Sequence, residues 1–326
     1  MEDAPQFVAE PAAGFNRPLL LSAGRDRFGW ALGHLGRAVL GLITGTSVLA
    51  VVLIFVFIVR EAWPFFAQRS LAEAFGSTQW YPQAAAGQEQ FGMLALIVGS
   101  LYVTAGALVL AVPLGILTAV VLSDIVPFGL RQAIKPVVEL LAAIPSVAFG
   151  FFAVKVLAPF MQTHLGFTTG ANILNSSLVL AVMAIPTIVS VAEDSLWAVG
   201  RDLREASFAC GATRAETLVK VVIPAAHNGI LAAIVLGMMR AIGETMLVWM
   251  ASGNAAQIPS PWWDLSQSVR TMTATIAGEM GETPQGSIQR HALFAVGLIL
   301  LVFSLGLNLL TETLLRRAKT GKGDRR

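Results

Sequence analysis

The sequence predicts an all-α integral membrane protein with six transmembrane helices and with both termini in the cytoplasm. Three observations lead to this fold class: the composition, the number of long apolar stretches and the distribution of basic residues. Of the 326 residues, 55% are hydrophobic and only 13% are charged, which is about half the charged share of an average soluble domain. Backbone polar groups must be paired inside a bilayer, and no alternating barrel pattern occurs, so the spans are helices.

Six apolar stretches reach the roughly 17–25 residues that a helix needs to cross a bilayer. They cover residues 38–59, 93–123, 136–159, 173–192, 228–251 and 292–315. We therefore expect a flexible polar tail over residues 1–36, a transmembrane domain over 37–315 and a short basic tail over 316–326.

The distribution of Lys and Arg predicts the orientation. Sixteen of the 22 basic residues fall in the two termini and in the even-numbered connections, while four fall in the alternate connections. Because cytoplasmic loops carry the excess of Lys and Arg, both termini are predicted to be cytoplasmic. The long outer connections, about 60–92 and 252–291, contain four tryptophans that we expect to lie at the membrane interface: Trp63, Trp80, Trp262 and Trp263.

The fifth apolar stretch contains two charges, Arg240 and Glu244. A charge at the centre of a spanning helix costs about 2.5–3.5 kcal/mol on insertion scales and often marks a transport pathway. In a continuous helix the two residues can pair at i and i+4. They also share a face with small residues that allow close helix packing, namely Ala233, Gly237 and Ala241. The alternative is a buried ion pair that only fixes helix packing.

Other polar residues in or near the spans are weaker candidates. Thr245 follows Glu244, but a threonine commonly bonds its own helix backbone. Lys135 and Glu139 are spaced i and i+4 and are expected to form an interfacial pair. We expect Lys155 to extend its ammonium group outward to the membrane surface.

The loop between spans four and five, about residues 193–227, is patterned as a helix, a turn and a second helix. Five apolar residues are spaced 3, 4, 3 and 4 apart and form one stripe: Leu196, Val199, Leu203, Ala206 and Cys210. Glu205 points to the opposite face. Gly211 is expected to end the first helix, and Pro224 to end the second helix before span five. An ordinary amphipathic surface helix would show the same periodicity.

The spacing in this loop matches a known motif. Glu205-Ala206-Ser207 is followed by three residues, Gly211, nine residues and then Val221-Val222-Ile223-Pro224. This string resembles the EAA loop of ABC-importer permeases, with Ser207 in place of the second alanine. The resemblance implies that the loop is a coupling helix that docks on a separate ATPase subunit. Glu205 would then face the ATPase, and Gly211 would provide the turn.

Further strings narrow the resemblance: Val112-Pro113-Leu114-Gly115, Ala143-Ile144-Pro145-Ser146 and Arg240-Ala241-Ile242-Gly243-Glu244-Thr245. Over roughly residues 60–315 the chain is similar to the permeases of phosphate (Pst) importers. It is closer to the PstC type than to the PstA type, because Glu61-Ala62-Trp63-Pro64 opens the first outer connection.

This resemblance implies a type I importer fold and inorganic phosphate as substrate, in a bacterial inner membrane. The implied partners are two ATPase subunits, a second, PstA-like permease, an extracytoplasmic phosphate-binding protein and membrane lipid. The chain has no P-loop pattern, so ATP and Mg²⁺ would bind the ATPase partner, and the chain itself is expected to be a non-catalytic transport subunit without a bound cofactor or metal. A single cysteine, Cys210, excludes an internal disulfide.

The charged pair suits phosphate on physical grounds. The planar guanidinium of Arg240 matches the geometry of an oxyanion, and the carboxylate of Glu244 can accept the hydroxyl proton of phosphate. Sulfate has no such proton and would be repelled. Two alternatives stay open: a permease for another oxyanion, such as sulfate or molybdate, and an ATP-independent secondary carrier or structural membrane protein.

Overall fold

The computed structural model describes residues 23–84 and 88–323. The chain divides into two compact units, Met1–Phe57 and Ile58–Arg326. Helix α1 (Ala23–Gln68) begins in the first unit and ends in the second. The polar tail predicted over residues 1–36 therefore overlaps α1 from Ala23 onward, and the rest of it lies outside the described residues.

The second unit contains helices and an antiparallel pair of strands. Its elements are α2 (Leu71–Gly76), β1 (Trp80–Tyr81), β2 (Gln90–Phe91), α3 (Leu94–Val120), α4 (Phe128–Ala143), α5 (Ser146–Phe152), α6 (Ala158–Leu165), α7 (Ile173–Trp197), α8 (Arg201–Ala209), α9 (Arg214–Thr217), α10 (Ile223–Ile242), α11 (Met246–Ala251), α12 (Met272–Glu279) and α13 (Ile288–Gly323). Strand β1 pairs with β2, so that Trp80 lies opposite Phe91. Segments of π-helix extend α3 (Val121–Ile125), join α5 to α6 (Ala153–Leu157) and join α9 to α10 (Leu218–Val222). The basic tail predicted over residues 316–326 begins inside α13.

Six helices in the described part of the chain are long and apolar enough to cross a membrane, which confirms the predicted number. They cover Leu32–Gln68, Leu94–Ile125, Ser146–His164, Ile173–Trp197, Arg214–Ile242 and Ile288–Leu309. The third and fifth differ most from the predicted limits. Both of these predicted spans contain a break in the helix, at residues 144–145 and 243–245.

Helix α7 lies at the centre of the second unit and packs against α3 and α10. The contacts are close because glycines face its side chains: a Cβ on Gly115 of α3 would lie 2.8 Å from Ile188 Cγ2, and one on Gly237 of α10 would lie 2.5 Å from Ile188 Cγ1. Ala233, Gly237 and Ala241 are all buried. The predicted small-residue face of span five is therefore confirmed as the face that packs on the bundle.

A second core lies at the end of the bundle away from α8. It joins the end of α1, the strand pair and the first turns of α3 and α13. Its largest fully buried side chains include Phe65, Phe91, Met93 and Leu293. Glu279 of α12 is also buried there, and it accepts a hydrogen bond from the indole of Trp80 at 3.0 Å and an ion pair from Arg270 at 2.8 Å. The connection over residues 60–92, which contains Trp80, therefore packs on the connection over residues 252–291, which contains Glu279.

Candidate functional site

Arg240 lies close to the middle of the membrane-spanning bundle. Gly237, one turn before it, contacts Ile188. Ile188 is 15 residues after the start of α7 and nine before its end, so at 1.5 Å per residue it lies about 22 Å from one end and about 14 Å from the other. The extra turn to Arg240 brings it to about 18 Å from either end. In a hydrocarbon core about 30 Å thick, this position is near the centre.

The two charges of span five have different surroundings. Arg240 is exposed on the surface of the chain, and it makes no hydrogen bond or ion pair with any residue in the described ranges. Glu244 is buried, with 9% of its surface accessible. Arg240 is thus exposed, contrary to the prediction that it lies on the packed face with Ala233 and Gly237, whereas Glu244 is buried but lies beyond the end of that helix.

Span five is not one continuous helix. Helix α10 ends at Ile242 and α11 begins at Met246. Glu244 lies in the break, where its Oε1 accepts a hydrogen bond from the backbone N–H of Leu247 at 3.3 Å. The hydroxyl of Thr273, at the start of α12, donates to the Glu244 carbonyl at 2.8 Å. Because the i, i+4 geometry requires a continuous helix, Arg240 and Glu244 do not pair within the described chain.

Thr245 is the last of the three residues in the break between α10 and α11. Its side chain is half-buried, and its hydroxyl donates to the carbonyl of Gly243 at 3.3 Å. This contact is the local backbone bond that was expected for a threonine at this position. Arg240, Glu244 and Thr245 are therefore close in sequence but present three different environments: an exposed cation, a buried carboxylate and a hydroxyl bound to its own backbone.

A second helix break lies at the same depth. Lys135 of α4 pairs with Glu193 near one end of α7, while Ala153 accepts a hydrogen bond from Asn175 near the other. The break at residues 144–145 is midway between these contacts, and hence near the middle of α7. Helix α5, which follows this break, packs against α11, which follows the other: a Cβ on Gly150 would lie 2.6 Å from the sulfur of Met250.

The two helix breaks and Arg240 make this part of the bundle surface unfavourable for contact with lipid. Irregular backbone at membrane depth is tolerated where it is buried in protein or lines a water-filled cavity, and an unpaired mid-membrane arginine has the same requirement. Residues 142–145 at the first break are exposed, as is Arg240. The surface formed by Arg240 and residues 142–145 is therefore expected to contact water, an anionic ligand or another subunit, and not lipid.

The loop between α7 and α10 has the helix–turn–helix form that its pattern predicts. Helix α8 is followed by Gly211 with φ of +84°, a conformation that favours glycine. Thr213 and Glu216 then form a reciprocal capping box at the start of α9. The Thr213 backbone N–H donates to one carboxylate oxygen of Glu216 at 3.0 Å, and Lys220 pairs with the other at 3.2 Å.

Pro224 does not end this second helix, contrary to prediction. The helix runs from Arg214 to Ile242 without interruption. It widens into a π-turn just before the proline, where the N–H of Ile223 bonds the carbonyl of Leu218, five residues earlier. The wider turn gives room for a ring that lacks an N–H and would otherwise collide with the preceding turn. Ile223 and Pro224 therefore connect the loop rigidly to α10.

Helix α8 shows most of its surface to the outside. None of its residues is buried. Glu205 is exposed, and it makes no hydrogen bond or ion pair within the described ranges. The predicted apolar stripe is buried at Leu196 and Val199 but exposed at Leu203, Ala206 and Cys210. The stripe therefore leaves an apolar surface beside Glu205 that no residue in the described ranges covers.

Polar contacts hold α8 to the bundle. Ser207 and Thr217 lie 2.9 Å apart through their hydroxyls, which links α8 to the helix that continues into α10. Arg204 forms an ion pair with Asp124 in the π-turn after α3, and it also donates to the carbonyl of Leu196 at 2.9 Å. Burial lowers the pKa of Arg204, although a guanidinium stays charged at neutral pH.

A cluster of ions close to α8 was not predicted. Glu193 of α7 is fully buried and accepts a hydrogen bond from Arg131 at 2.6 Å and an ion pair from Lys135 at 3.2 Å. Lys135 thus pairs with Glu193 and Asp194 of α7, and not with Glu139 as expected. Residues about 60 positions apart meet here, and no local sequence signal indicates such a pair. Lys155, by contrast, is exposed, as its predicted outward extension requires.

Comparison with known proteins identifies the family. Residues 111–320 match the family described as binding-protein-dependent transport system inner membrane component. A probable ABC transporter permease of Bacillus subtilis, YqgH, is 39% identical over 76% of this chain and 78% of its own length. A phosphate transport system permease protein PstC of Mesorhizobium japonicum is 36% identical over 75% and 79%. A protein of the same name from Haemophilus influenzae is 32% identical over 76% and 81%.

Solved structures share the fold at low sequence identity. A bacterial alginate ABC transporter, crystallised in complex with an alginate-bound periplasmic protein, has a TM-score of 0.59 at 15% identity, over 89% of this chain and 97% of that one. The inward-facing methionine transporter MetNI gives 0.53 at 20% identity, over 69% and 96%. The chain therefore belongs to the binding-protein-dependent transport system inner membrane components: it is a multi-pass inner-membrane protein and a permease subunit of an ABC importer.

Proposed function

We propose that this chain forms half of the membrane pathway of an ATP-driven inorganic phosphate importer. Relatives named as PstC phosphate permeases cover about three quarters of the chain, and this similarity supports the substrate. Family membership implies an ATPase and an extracytoplasmic binding protein as partners. In the proposed complex the binding protein delivers phosphate, a second, PstA-like permease completes the pathway, and two ATPase subunits bind ATP and Mg²⁺.

One observation supports the pathway above all others: Arg240 is an exposed cation near the bilayer centre, and it pairs with none of the described residues. An arginine in that position is too costly to face lipid. Its ligand must therefore come from outside the described chain. A tetrahedral oxyanion suits the planar donor array of a guanidinium, and the second permease would enclose the site from the other side.

Glu244 adds a reason for phosphate. It lies in the helix break one turn beyond Arg240, and its carboxylate uses one oxygen to accept from Leu247. We propose that its negative charge, close to the pathway, disfavours sulfate and accepts a hydroxyl proton of phosphate. Thr245 remains a secondary candidate, because its hydroxyl is bound to Gly243 and would have to rotate to reach a ligand.

We propose that the ATPase acts on the transport pathway through α8. Its uncovered apolar residues, together with Glu205, form a surface of the kind that docks into a partner, and family membership implies an ATPase as that partner. Docking there requires α8 and both termini to lie in the cytoplasm, in agreement with the distribution of Lys and Arg. Glu205 would contact the ATPase, and the uninterrupted helix from Arg214 to Ile242 would transmit the movement to Arg240.

Uptake of labelled phosphate into vesicles tests the proposal. The vesicles contain the whole complex, with ATP on the side of the ATPase and binding protein on the other. We expect Arg240→Gln to reduce ATP-driven uptake by about 100-fold or more, because loss of one charge-assisted contact to the moving ion costs about 3 kcal/mol. Assembly, measured by co-purification of the subunits, should be unchanged.

Lys155→Gln is the matched control. Lys155 is also an exposed cation in an apolar span, but it lies only two residues from Ala153, which contacts the first turns of α7, and so near the end of the bundle. This variant should transport at the wild-type rate. Wild-type uptake by Arg240→Gln would contradict the pathway role, and uptake of sulfate in place of phosphate by the unmodified complex would contradict the substrate.

A further inference from the structure

The attachment of α8 to the bundle depends on very few contacts. Since no residue of α8 is buried, apolar packing does not fix its position. The side-chain contacts that the structure gives it are the ion pair from Arg204 to Asp124, the hydrogen bond from Arg204 to the Leu196 carbonyl and the Ser207–Thr217 pair. Two of these three contacts involve Arg204.

These contacts reach two different spans. Thr217 belongs to the uninterrupted helix that becomes α10. Asp124, in contrast, belongs to the π-turn that ends α3, and it is joined to α8 across 80 positions of sequence. Helices α3 and α10 both pack on Ile188 of α7, from different sides. Helix α8 is therefore fastened to both helices that contact this central residue.

The ion pair between Arg204 and Asp124 is mostly buried but not fully closed to water. The side chains of Arg204 and Asp124 are only 22% and 13% exposed. Among the described residues, the second carboxylate oxygen of Asp124 and the neighbouring hydroxyl of Ser123 are buried and have no hydrogen-bond partner. Arg204 is the one ion-pair partner of Asp124 among the described residues, so separating the two would leave a largely buried carboxylate without it. A displacement of α8 should consequently displace the end of α3.

We infer that Arg204 and Asp124 form a strut that transmits the movement of the coupling helix to span two, so that α3 and α10 move together. The inference rests on the proposed function, because it assumes that an ATPase moves α8. It makes Arg204 a positioning residue: it touches neither the substrate nor, in this role, the ATPase. The Arg204–Asp124 pair determines how far a movement of α8, caused at Glu205, also moves α3 in the transport pathway.

Coupling efficiency tests the strut. In vesicles with the whole complex, phosphate taken up and ATP hydrolysed are measured together. We expect Arg204→Gln and Asp124→Asn each to lower the phosphate transported per ATP by about tenfold, within the usual range for coupling between two sites, while ATP hydrolysis continues. The double variant should be no worse than the poorer single variant. Arg201→Gln, which removes an exposed cation from the same helix, should leave the ratio unchanged.

A distance measurement gives a second readout that does not depend on transport. Cys210 is the chain's single cysteine and is exposed at the end of α8, so it can take one spin label, and Ile125→Cys at the end of the π-turn can take another. With Arg204 intact, the distance between the labels should be the same with and without ATP. In Arg204→Gln it should broaden or shift when ATP is added.

The outcomes separate the two proposals. A wild-type ratio of phosphate to ATP in both Arg204→Gln and Asp124→Asn would overturn the strut, as would an unchanged label distance in Arg204→Gln. Either result would leave the proposed function intact as long as the wild-type complex transports phosphate with ATP. Absence of ATP-driven uptake by the wild-type complex, in contrast, would overturn the proposed function itself.

Discussion

The hydroxyl groups of Ser207 and Thr217 lie 2.9 Å apart and join α8 to the helix that leads to Arg240. Thr217 is buried, with 2% of its surface accessible, so its hydroxyl has little access to water. The motif that this loop resembles has an alanine where Ser207 stands. The serine is therefore not a neutral replacement in this chain, since it satisfies a buried group on the next helix.

Ser207→Ala should destabilise the loop, because it leaves the Thr217 hydroxyl unpaired. An unsatisfied buried hydroxyl costs about 1–3 kcal/mol, whereas replacing both partners by apolar groups of similar shape can be nearly neutral. The double variant Ser207→Ala/Thr217→Val should therefore recover most of the lost stability. Thermal unfolding in detergent measures both effects. Additive losses in the double variant would show that the two hydroxyls do not interact.

Glu205→Lys should abolish ATP-driven uptake, because it reverses the charge on the exposed face of α8 that would meet the ATPase. The chain should still enter the membrane and fold, since Glu205 is exposed and makes no hydrogen bond or ion pair within the described residues. Asp202→Lys is the matched control: it reverses another exposed carboxylate on the same helix, and it should retain uptake. Equal uptake by Glu205→Lys and wild type would remove the coupling role from Glu205.

Glu244→Gln should reduce the discrimination between phosphate and sulfate. Glutamine keeps the oxygen that accepts from Leu247 N–H, so the helix break should persist, but it removes the negative charge close to Arg240. Competition of unlabelled sulfate against labelled phosphate measures the change, with a binding protein that accepts both ions. We expect sulfate to compete about tenfold better in the variant, which corresponds to about 1.4 kcal/mol. If selectivity is unchanged, the binding protein alone determines the substrate.

The sequence indicated the number of spans and the coupling loop, because both depend on local patterns. Apolar length predicts a helix whatever its tertiary contacts, and the glycine at position 211 is required by its positive φ. The capping box could also have been predicted, since a threonine followed three residues later by a glutamate is its usual signature.

The helix breaks could not be predicted in the same way. Gly243 and Pro145 are both compatible with an uninterrupted membrane helix, where neighbouring helices can satisfy the freed backbone groups. The break at Gly243 depends on Thr273, 29 residues away, which bonds the Glu244 carbonyl. Once α10 ends at Ile242, a helical projection no longer relates Arg240 to Glu244.

Glu193→Gln should be strongly destabilising, because Glu193 is the buried partner of two cations. Its side chain is 1% exposed and lies between Arg131 and Lys135. Removing one partner of a buried pair typically costs about 3–5 kcal/mol. Asp194→Asn is the control, since that carboxylate pairs with the same lysine but is 69% exposed, and exposed pairs contribute about 0–1 kcal/mol. Similar unfolding temperatures for the two variants would mean that the cluster adds little stability.

Gly237→Ala should weaken the packing of α10 on α7, because the added Cβ would lie 2.5 Å from Cγ1 and 2.8 Å from Cδ1 of the fully buried Ile188. Overpacking of this kind typically costs about 1–3 kcal/mol. Gly129→Ala, at a helical site on α4 with no atom within 4 Å of the new Cβ, should instead stabilise by about 0.5–1 kcal/mol, because alanine favours a helix over glycine. Opposite shifts in the unfolding temperature of the two variants would support close contact between α7 and α10. A stabilising effect of Gly237→Ala would require more space between these helices than the distances allow.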